Sequence, residues 1–399
     1  MRIAIISEGY FPELSGVTTS LYERARHLSL MGHVVRIYAP DYTALASLYP
    51  NYRSFVGQVS PGVEVVPFDS KPYYVDYTRD PKPFSFGRIA QDIRGFKPDV
   101  IHVECPARLF LGFLSRPGIS LAKELGVPIT AIYHTNYLAY VEDYKDQIAF
   151  FRVPGVDGLL RNIMVWVYNS YDVTMVPTPV TRDYLAEQGV GNTSLGYFYG
   201  VESQRFRPNH SAPPEAYKAV QDQVKILYVG RLTPDKQIAV LLQAFDLLCA
   251  EAGNCRFIFI GGGPEEALIR SWAGQRGDVL LLGRIPYDEI APYYAHADIF
   301  VSASHKENRP LTVMEAMSSG LPVVAPKAGG LIDLIDHERT GFHAEVGEPH
   351  SIASMLSRLV EDSALRQKIG YNASQAVRPQ SWENAACEMV VAWEELIYG

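Results

Sequence analysis

The chain has 399 residues, 47% of them hydrophobic and 20% charged, a balance that excludes a largely disordered polymer and supplies apolar surface for two cores. Its net charge of -8 argues against a nucleic-acid partner, whose phosphates call for clustered Lys and Arg. Cys105, Cys249, Cys255 and Cys387 lack metal-ligand spacing, and Met1-Arg2-Ile3-Ala4 enters a strand pattern without an apolar leader, so a reducing cytoplasm is expected.

Apolar runs and amphipathic stretches alternate from the start. Ile3 to Ile6 reads as a strand, Val17 to Met31 as a helix and Val34 to Tyr38 as a strand. Tyr42 to Pro98 resists placement. Strands follow at Val100 to Val103, Pro128 to Tyr133 and Val173 to Val176, with helices over Ile119 to Leu125 and Val180 to Glu187. No apolar run reaches the ~20 residues of a membrane span. Ile148 to Tyr168 comes nearest, and its part from Gly158 to Asn169 reads as an amphipathic helix facing the core, with peripheral contact at the inner membrane as the alternative. The polar, proline-rich stretch Asn209 to Pro214 reads as a linker. A second alternation then runs through strands at Ile226 to Val229, Phe257 to Ile260, Val279 to Leu282, Ile299 to Ala303 and Pro322 to Ala325, with a helix at Val240 to Ala250. The pattern is that of two doubly wound α/β domains with helices on both sheet faces, residues 1–205 and 206–378, followed by a half-buried helix over 379–399.

Glu307 and Glu315 stand eight positions apart between a strand and the helix Leu311 to Ser319, which Gly320 closes. Ligands of parallel sheets collect at strand carboxyl ends, and a helix starting there offers amides and a positive dipole end to a phosphate. Glu315, one turn in, would repel that phosphate, but a carboxylate can accept two hydrogen bonds from a ribose diol. A sugar nucleotide suits the pair; a solvated loop residue and a dipole-stabilising one are the alternative. After a strand, Gly230-Arg231-Leu232 and Lys236 place two cations where both can face one diphosphate and neutralise leaving-group charge without a metal; two surface cations are the alternative. Thr233-Pro234 reads as the N-cap and first residue of the helix that follows. Ser15-Gly16-Val17 lies in the first strand-to-helix loop, and Gly261-Gly262-Gly263-Pro264 follows a later strand; either loop lets backbone amides approach a phosphate, or merely serves its turn. The first strand carries no G-x-G-x-x-G, which disfavours an NAD enzyme. The tyrosines at 73, 74 and 77 and at 133, 137, 140 and 144 are candidates for stacking on an acceptor sugar.

From Glu307 through Glu-Ala-Met-Ser-Ser-Gly-Leu-Pro-Val-Val the segment resembles the E-x7-E signature of the family-4 retaining glycosyltransferases, bacterial UDP-sugar-dependent enzymes among them. The resemblance implies the GT-B fold, two Rossmann-like domains facing a cleft, with the tail helix crossing back to the first domain. It implies that Glu307 lies against the donor hexose, that Glu315 holds the ribose, and that amides around Leu311 and Thr312 meet hexose and diphosphate. It also implies that Gly16 lies across the cleft from Arg231 and Lys236, that His134 stands beside the sugar's C6 hydroxyl, and that the loop at Arg284 and Ile285 cradles the base. Two departures stand out. Asn308, Arg309 and Pro310 replace a common Gly-Phe-Gly, which removes an amide because proline has none, and Gln237 replaces the glycine that usually follows the lysine.

The expected activity is metal-independent transfer of a hexose, with UDP-glucose the expected donor, to a saccharide or lipid-linked hydroxyl. Retention is implied by the resemblance. No side chain stands out as a nucleophile, which favours front-face displacement, and closure of the domains over the donor is expected. A sugar-nucleotide epimerase, a sugar-phosphate synthase and a non-catalytic sugar-nucleotide-binding subunit are the rivals.

Overall fold

Strands such as Ile3 to Ile6 and Phe257 to Ile260 are apolar at consecutive positions, so both of their faces must be covered, and helices cover them. The computed structural model describes the chain apart from residues 73–78, 135–151, 197, 209–211, 252–254 and 275. Of the tyrosines named as acceptor candidates, only Tyr133 is described, and it is buried in the core. The chain divides into two compact units, Met1–Gly200 with Trp382–Gly399, and Val201–Ser381.

In the first unit the strands are β1 (Arg2–Ile6), β2 (Val34–Pro40), β3 (Gly57–Ser60), β4 (Val63–Phe68), β5 (Ser70–Pro72), β6 (Arg79–Pro81), β7 (Val100–Glu104), β8 (Ile129–Ile132), β9 (Val173–Val176) and β10 (Thr193–Leu195). Eight of them form one sheet in the order β10-β9-β8-β7-β1-β2-β4-β3, parallel throughout except for the β3–β4 hairpin. β5 and β6 make a separate two-stranded ribbon. The stretch that the sequence left unplaced is therefore β3 to β6 and the helix Phe86–Phe96, a set of short, half-polar strands with weak alternation.

The expected amphipathic helix spans Val156–Tyr168. Val156, Met164, Val167 and Tyr168 face the core, while Leu159 and Trp166 lie exposed. No helix among the described residues is long and apolar enough to cross a membrane. The final helix, Trp382–Tyr398, packs on the helix Gly16–Leu30 of the first unit and buries Met389 and Trp393.

The second unit holds β11 (Val224–Val229), β12 (Cys255–Ile260), β13 (Val279–Leu281), β14 (Ile299–Val301), β15 (Val323–Pro326) and β16 (Gly341–Ala344). All are parallel, in the order β13-β12-β11-β14-β15-β16. Strand order reverses between β11 and β14. Connections after these two neighbours leave in opposite directions, which opens a crevice at their carboxyl ends, the usual ligand position of a doubly wound sheet.

Candidate active site

Lys236 follows β11 and Glu307 follows β14, and the switch point brings them together although 71 positions separate them. Lys236 Nζ lies 2.6 Å from Glu307 Oε1 and 3.2 Å from Asp235 Oδ2. Arg231 Nη2 is 3.8 Å from the same aspartate oxygen. Asp235 has no solvent exposure. Burial pushes its carboxyl pKa up, but Lys236 and Arg231 outweigh burial and hold it below the usual aspartate range. It anchors both cations from beneath and was not singled out in the sequence. An acid placed between two cations in Arg231-Leu-Thr-Pro-Asp-Lys236 was the available signal.

Thr233 and Pro234 open a helical turn at the expected position, but the α-helix itself does not start there. Thr233 makes no side-chain capping bond, and Pro234–Lys236 forms a single 3₁₀ turn. Gln237 then takes the left-handed conformation at φ 54° before the helix Ile238–Glu251 begins. The glycine of the related pattern would occupy that conformation without the Cβ clash, which costs other residues about 1 kcal/mol. Gln237→Gly is expected to stabilise the second unit by about 0.5–1 kcal/mol, measured as a higher urea midpoint; an unchanged or lower midpoint removes this account.

Three loops at neighbouring strand ends are tied together by backbone. Leu232 N donates to Gly262 O at 3.1 Å, Glu265 N to Leu232 O at 2.9 Å and Gly261 N to Gly283 O at 2.8 Å. A Cβ on Gly263 would lie 2.3 Å from Leu232 O, so only glycine permits this approach. Gly230, Arg231, Gly263, Arg284 and Ile285 are thus set side by side at the ends of β11, β12 and β13, with Arg284 exposed and Ile285 half-buried.

On the other side of the switch point the helix Leu311–Ser318 has Pro310 as its extended N-cap, without side-chain capping and without an acid in the first turn. The amides of Leu311 and Thr312 lack partners within that helix, whose dipole puts partial positive charge at this end. The Glu307–Pro310 loop is seated on Gly329 and Gly330. Gly330 N donates to Glu307 O at 2.8 Å, and a Cβ on Gly330 would fall 1.6 Å from Asn308 O. Buried Arg309 donates to Gln380 Oε1, and Gln380 O accepts from Val201 N at 2.9 Å. Where the related pattern has Gly-Phe-Gly, this loop is therefore pinned by an arginine to the segments that begin and end the second unit.

Glu315 is buried among aromatic side chains, and its Oε2 accepts from Tyr294 Oη at 2.8 Å. Burial raises its pKa to about 7, against hydrogen bonds from Tyr294 and Tyr287 and the attraction of Arg205. The carboxyl that the sequence reading gave entirely to a ribose diol thus spends acceptor capacity on tyrosine.

In the first unit, exposed Gly16 opens the helix Gly16–Leu30 beneath a Ser15–Thr18 capping box. His134, just beyond β8, is buried with both ring nitrogens engaged: Nε2 on Glu104 Oε2 and Nδ1 on Tyr199 Oη. Glu104 in turn receives Arg24 Nη2 at 3.0 Å on each oxygen. None of Arg24, Glu104 or Tyr199 was singled out in the sequence.

Two doubly wound α/β domains, one carrying paired cations, a paired acid and an uncapped helix start at its switch point, make up the GT-B architecture of glycosyltransferases. Residues 14–195 match the model described as Glycosyltransferase Family 4, and residues 212–376 the model described as Glycosyl transferases group 1. The chain belongs to the family-4 glycosyltransferases. It is 30% identical over 404 residues to a GDP-mannose-dependent alpha-mannosyltransferase of Mycobacterium tuberculosis, covering 100% of this chain and 97% of that one. It is also 30% identical to the sulfoquinovosyl transferase SQD2 of Arabidopsis thaliana, over 76% of this chain and 58% of that protein. Among solved structures, sucrose-phosphate synthase from Thermosynechococcus elongatus superposes with a TM-score of 0.75 at 20% identity, covering 99% of this chain and 98% of the other.

Proposed function

We propose that the protein transfers a hexose from a nucleotide diphosphate donor to a hydroxyl of a saccharide or lipid-linked acceptor, with retention at the anomeric carbon and without a metal. The observation that carries this reading is the Lys236–Glu307 contact of 2.6 Å beside Arg231 and the start of the helix Leu311–Ser318, which no side chain caps. An ammonium has three donors, enough to hold two carboxylates and a phosphate oxygen in one shell. The diphosphate lies against the amides of Leu311 and Thr312 with Arg231 and Lys236 on its charge, Glu307 orients the hexose, Glu315 meets the ribose, and the loop at Arg284 and Ile285 borders the base. In the first unit, His134 and Gly16 are the candidates for donor contact. In the reaction the bond from the anomeric carbon to the phosphate oxygen breaks as the bond to the acceptor oxygen forms on the same face. The acceptor proton passes to the departing phosphate oxygen, whose charge the two cations stabilise.

UDP-glucose is the donor on the sequence resemblance. The relative named as GDP-mannose-dependent, matched over 97% of its length, favours GDP-mannose instead. Incubation with each donor and a panel of saccharide and glycerolipid acceptors decides between them by acceptor-dependent release of UDP or GDP, with product stereochemistry read by NMR. Activity within twofold of control in EDTA is the expected result. Inactivity with every donor overturns the transferase reading, and loss in EDTA that a divalent cation restores overturns metal independence.

A further inference from the structure

We infer that Glu104, held by Arg24, is a positioning residue that sets the tautomer and ring orientation of His134. The inference rests on the proposed place of His134 in the site.

His102 and Glu104 are two positions apart on β7 and therefore share one sheet face, and β8 brings Thr130 opposite His102. The helices Gly16–Leu30 and Trp382–Tyr398 lie against each other, and both reach the cluster formed on that face. Arg24 contributes its guanidinium from the first, with Nε 3.1 Å from Ser20 Oγ and Nη1 3.3 Å from Met389 Sδ. Trp393 contributes its indole from the second, donating to Thr130 Oγ1 at 2.9 Å, and that hydroxyl is 2.8 Å from His102 Nδ1. His102 Nε2 stands 3.3 Å from Glu104 Oε1. Arg24 is 1% exposed and Glu104 0%.

A carboxylate this deeply buried persists only when paired and hydrogen-bonded, and Glu104 is both. An ionised carboxylate accepts and does not donate, so His134 must offer Nε2–H to it. On the neutral ring Nδ1 is then the acceptor, and the buried Tyr199 hydroxyl is placed to donate to it. Each nitrogen therefore has one assigned function, and the ring has one orientation, in the way a third group orients the base of a catalytic pair. Tyr199 is the penultimate residue of the first unit before the chain enters the second, and Met389 and Trp393 lie on the helix that follows its return. The cluster thus fastens His134 to both segments of the first unit that adjoin the boundary.

Single replacements leave a buried charge unpaired and are expected to unfold the unit, so charge-neutral double variants are compared. Arg24→Met/Glu104→Gln keeps an acceptor for Nε2, and Arg24→Met/Glu104→Leu removes it. ¹⁵N-histidine NMR, with His134 assigned through a His134→Gln sample, is expected to show the Nε2–H tautomer in the wild type and the Gln double variant, and a mixed population in the Leu double variant. The Leu variant is expected to lose at least tenfold in kcat with its fold kept by circular dichroism, and the Gln variant to stay within threefold. An Nδ1–H tautomer in the wild type, or an Nε2–H tautomer with full turnover in the Leu variant, overturns the inference. If the wild type transfers no sugar at all, the proposed function fails while the tautomer measurement still reads the role of Glu104, so the two failures are distinguishable.

Discussion

Lys236→Ala and Glu307→Ala are each expected to lower transfer by about 10³-fold, yet only the lysine variant should lose nucleotide affinity. Removing one preorganised charge from a developing leaving group costs about 3–4 kcal/mol of barrier, and Lys236 is such a charge on the proposed reading. Its loss should also weaken UDP or GDP binding by roughly tenfold, the equivalent of one charge-assisted contact. Glu307 is the carboxylate that pairs with Lys236 at 2.6 Å. Taking it away removes a negative charge beside the diphosphate without removing a phosphate contact, so Glu307→Ala should bind the nucleotide as tightly as the wild type or tighter while failing to transfer. Stability complicates only the lysine variant. Asp235 is fully buried, and without Lys236 the cation left beside it is Arg231 at 3.8 Å, so Asp235→Asn/Lys236→Met serves as the matched control that removes both charges. Calorimetric titration with UDP and GDP and initial rates on the active donor decide the matter. Near-wild-type turnover in either alanine variant, or weaker nucleotide binding by Glu307→Ala, sinks the assignment.

How much of this site was legible in the sequence depends on how each residue announces itself. Strands buried on both faces are long apolar runs, so β1, β9, β11 and β12 could be read directly, and their alternation with helices gives the doubly wound pattern. The loops bearing Arg231, Lys236 and Glu307 follow from the rule that ligands gather at strand carboxyl ends. Their contact does not, because it depends on β14 lying beside β11, a strand order that local pattern never states. β5 and β6, three residues each and containing Pro72 and Pro81, leave no periodic trace. Glu104 closes a strand that is otherwise apolar but for His102, and Arg24 lies on the buried stripe of an amphipathic helix. Each was visible as an exception to its own pattern, and only the fold shows that the exceptions neutralise one another. The Gln237 and Arg309 departures were legible as departures; the left-handed turn and the bond to Gln380 that give them meaning appear only in the folded chain.

The remaining large effect belongs to Glu315, whose carboxyl titrates near 7 in the folded chain against an ordinary value of 4.5. Below pH 4.5 the group is protonated whether folded or unfolded, and its full contribution to stability is present. As pH rises from there the unfolded chain releases the proton first, so unfolding becomes progressively easier until the folded carboxyl ionises as well, near pH 7. Over this window the linkage amounts to about 3 kcal/mol of lost stability, a large share of a domain's total. Glu315→Gln removes the titration while keeping a hydrogen-bond acceptor for Tyr294. Its unfolding free energy should therefore be flatter between pH 5 and pH 8 than that of the wild type, with the variant the more stable protein at pH 8. Tyr294→Phe should do the reverse, because the hydroxyl 2.8 Å away favours the ionised form, and its loss steepens the decline at neutral pH. Urea unfolding of the three proteins across that range separates this from a purely packing role. Parallel curves for wild type and Glu315→Gln would mean that the carboxyl is ionised throughout, with Arg205 and the two tyrosines holding it there as a permanent acceptor for the ribose.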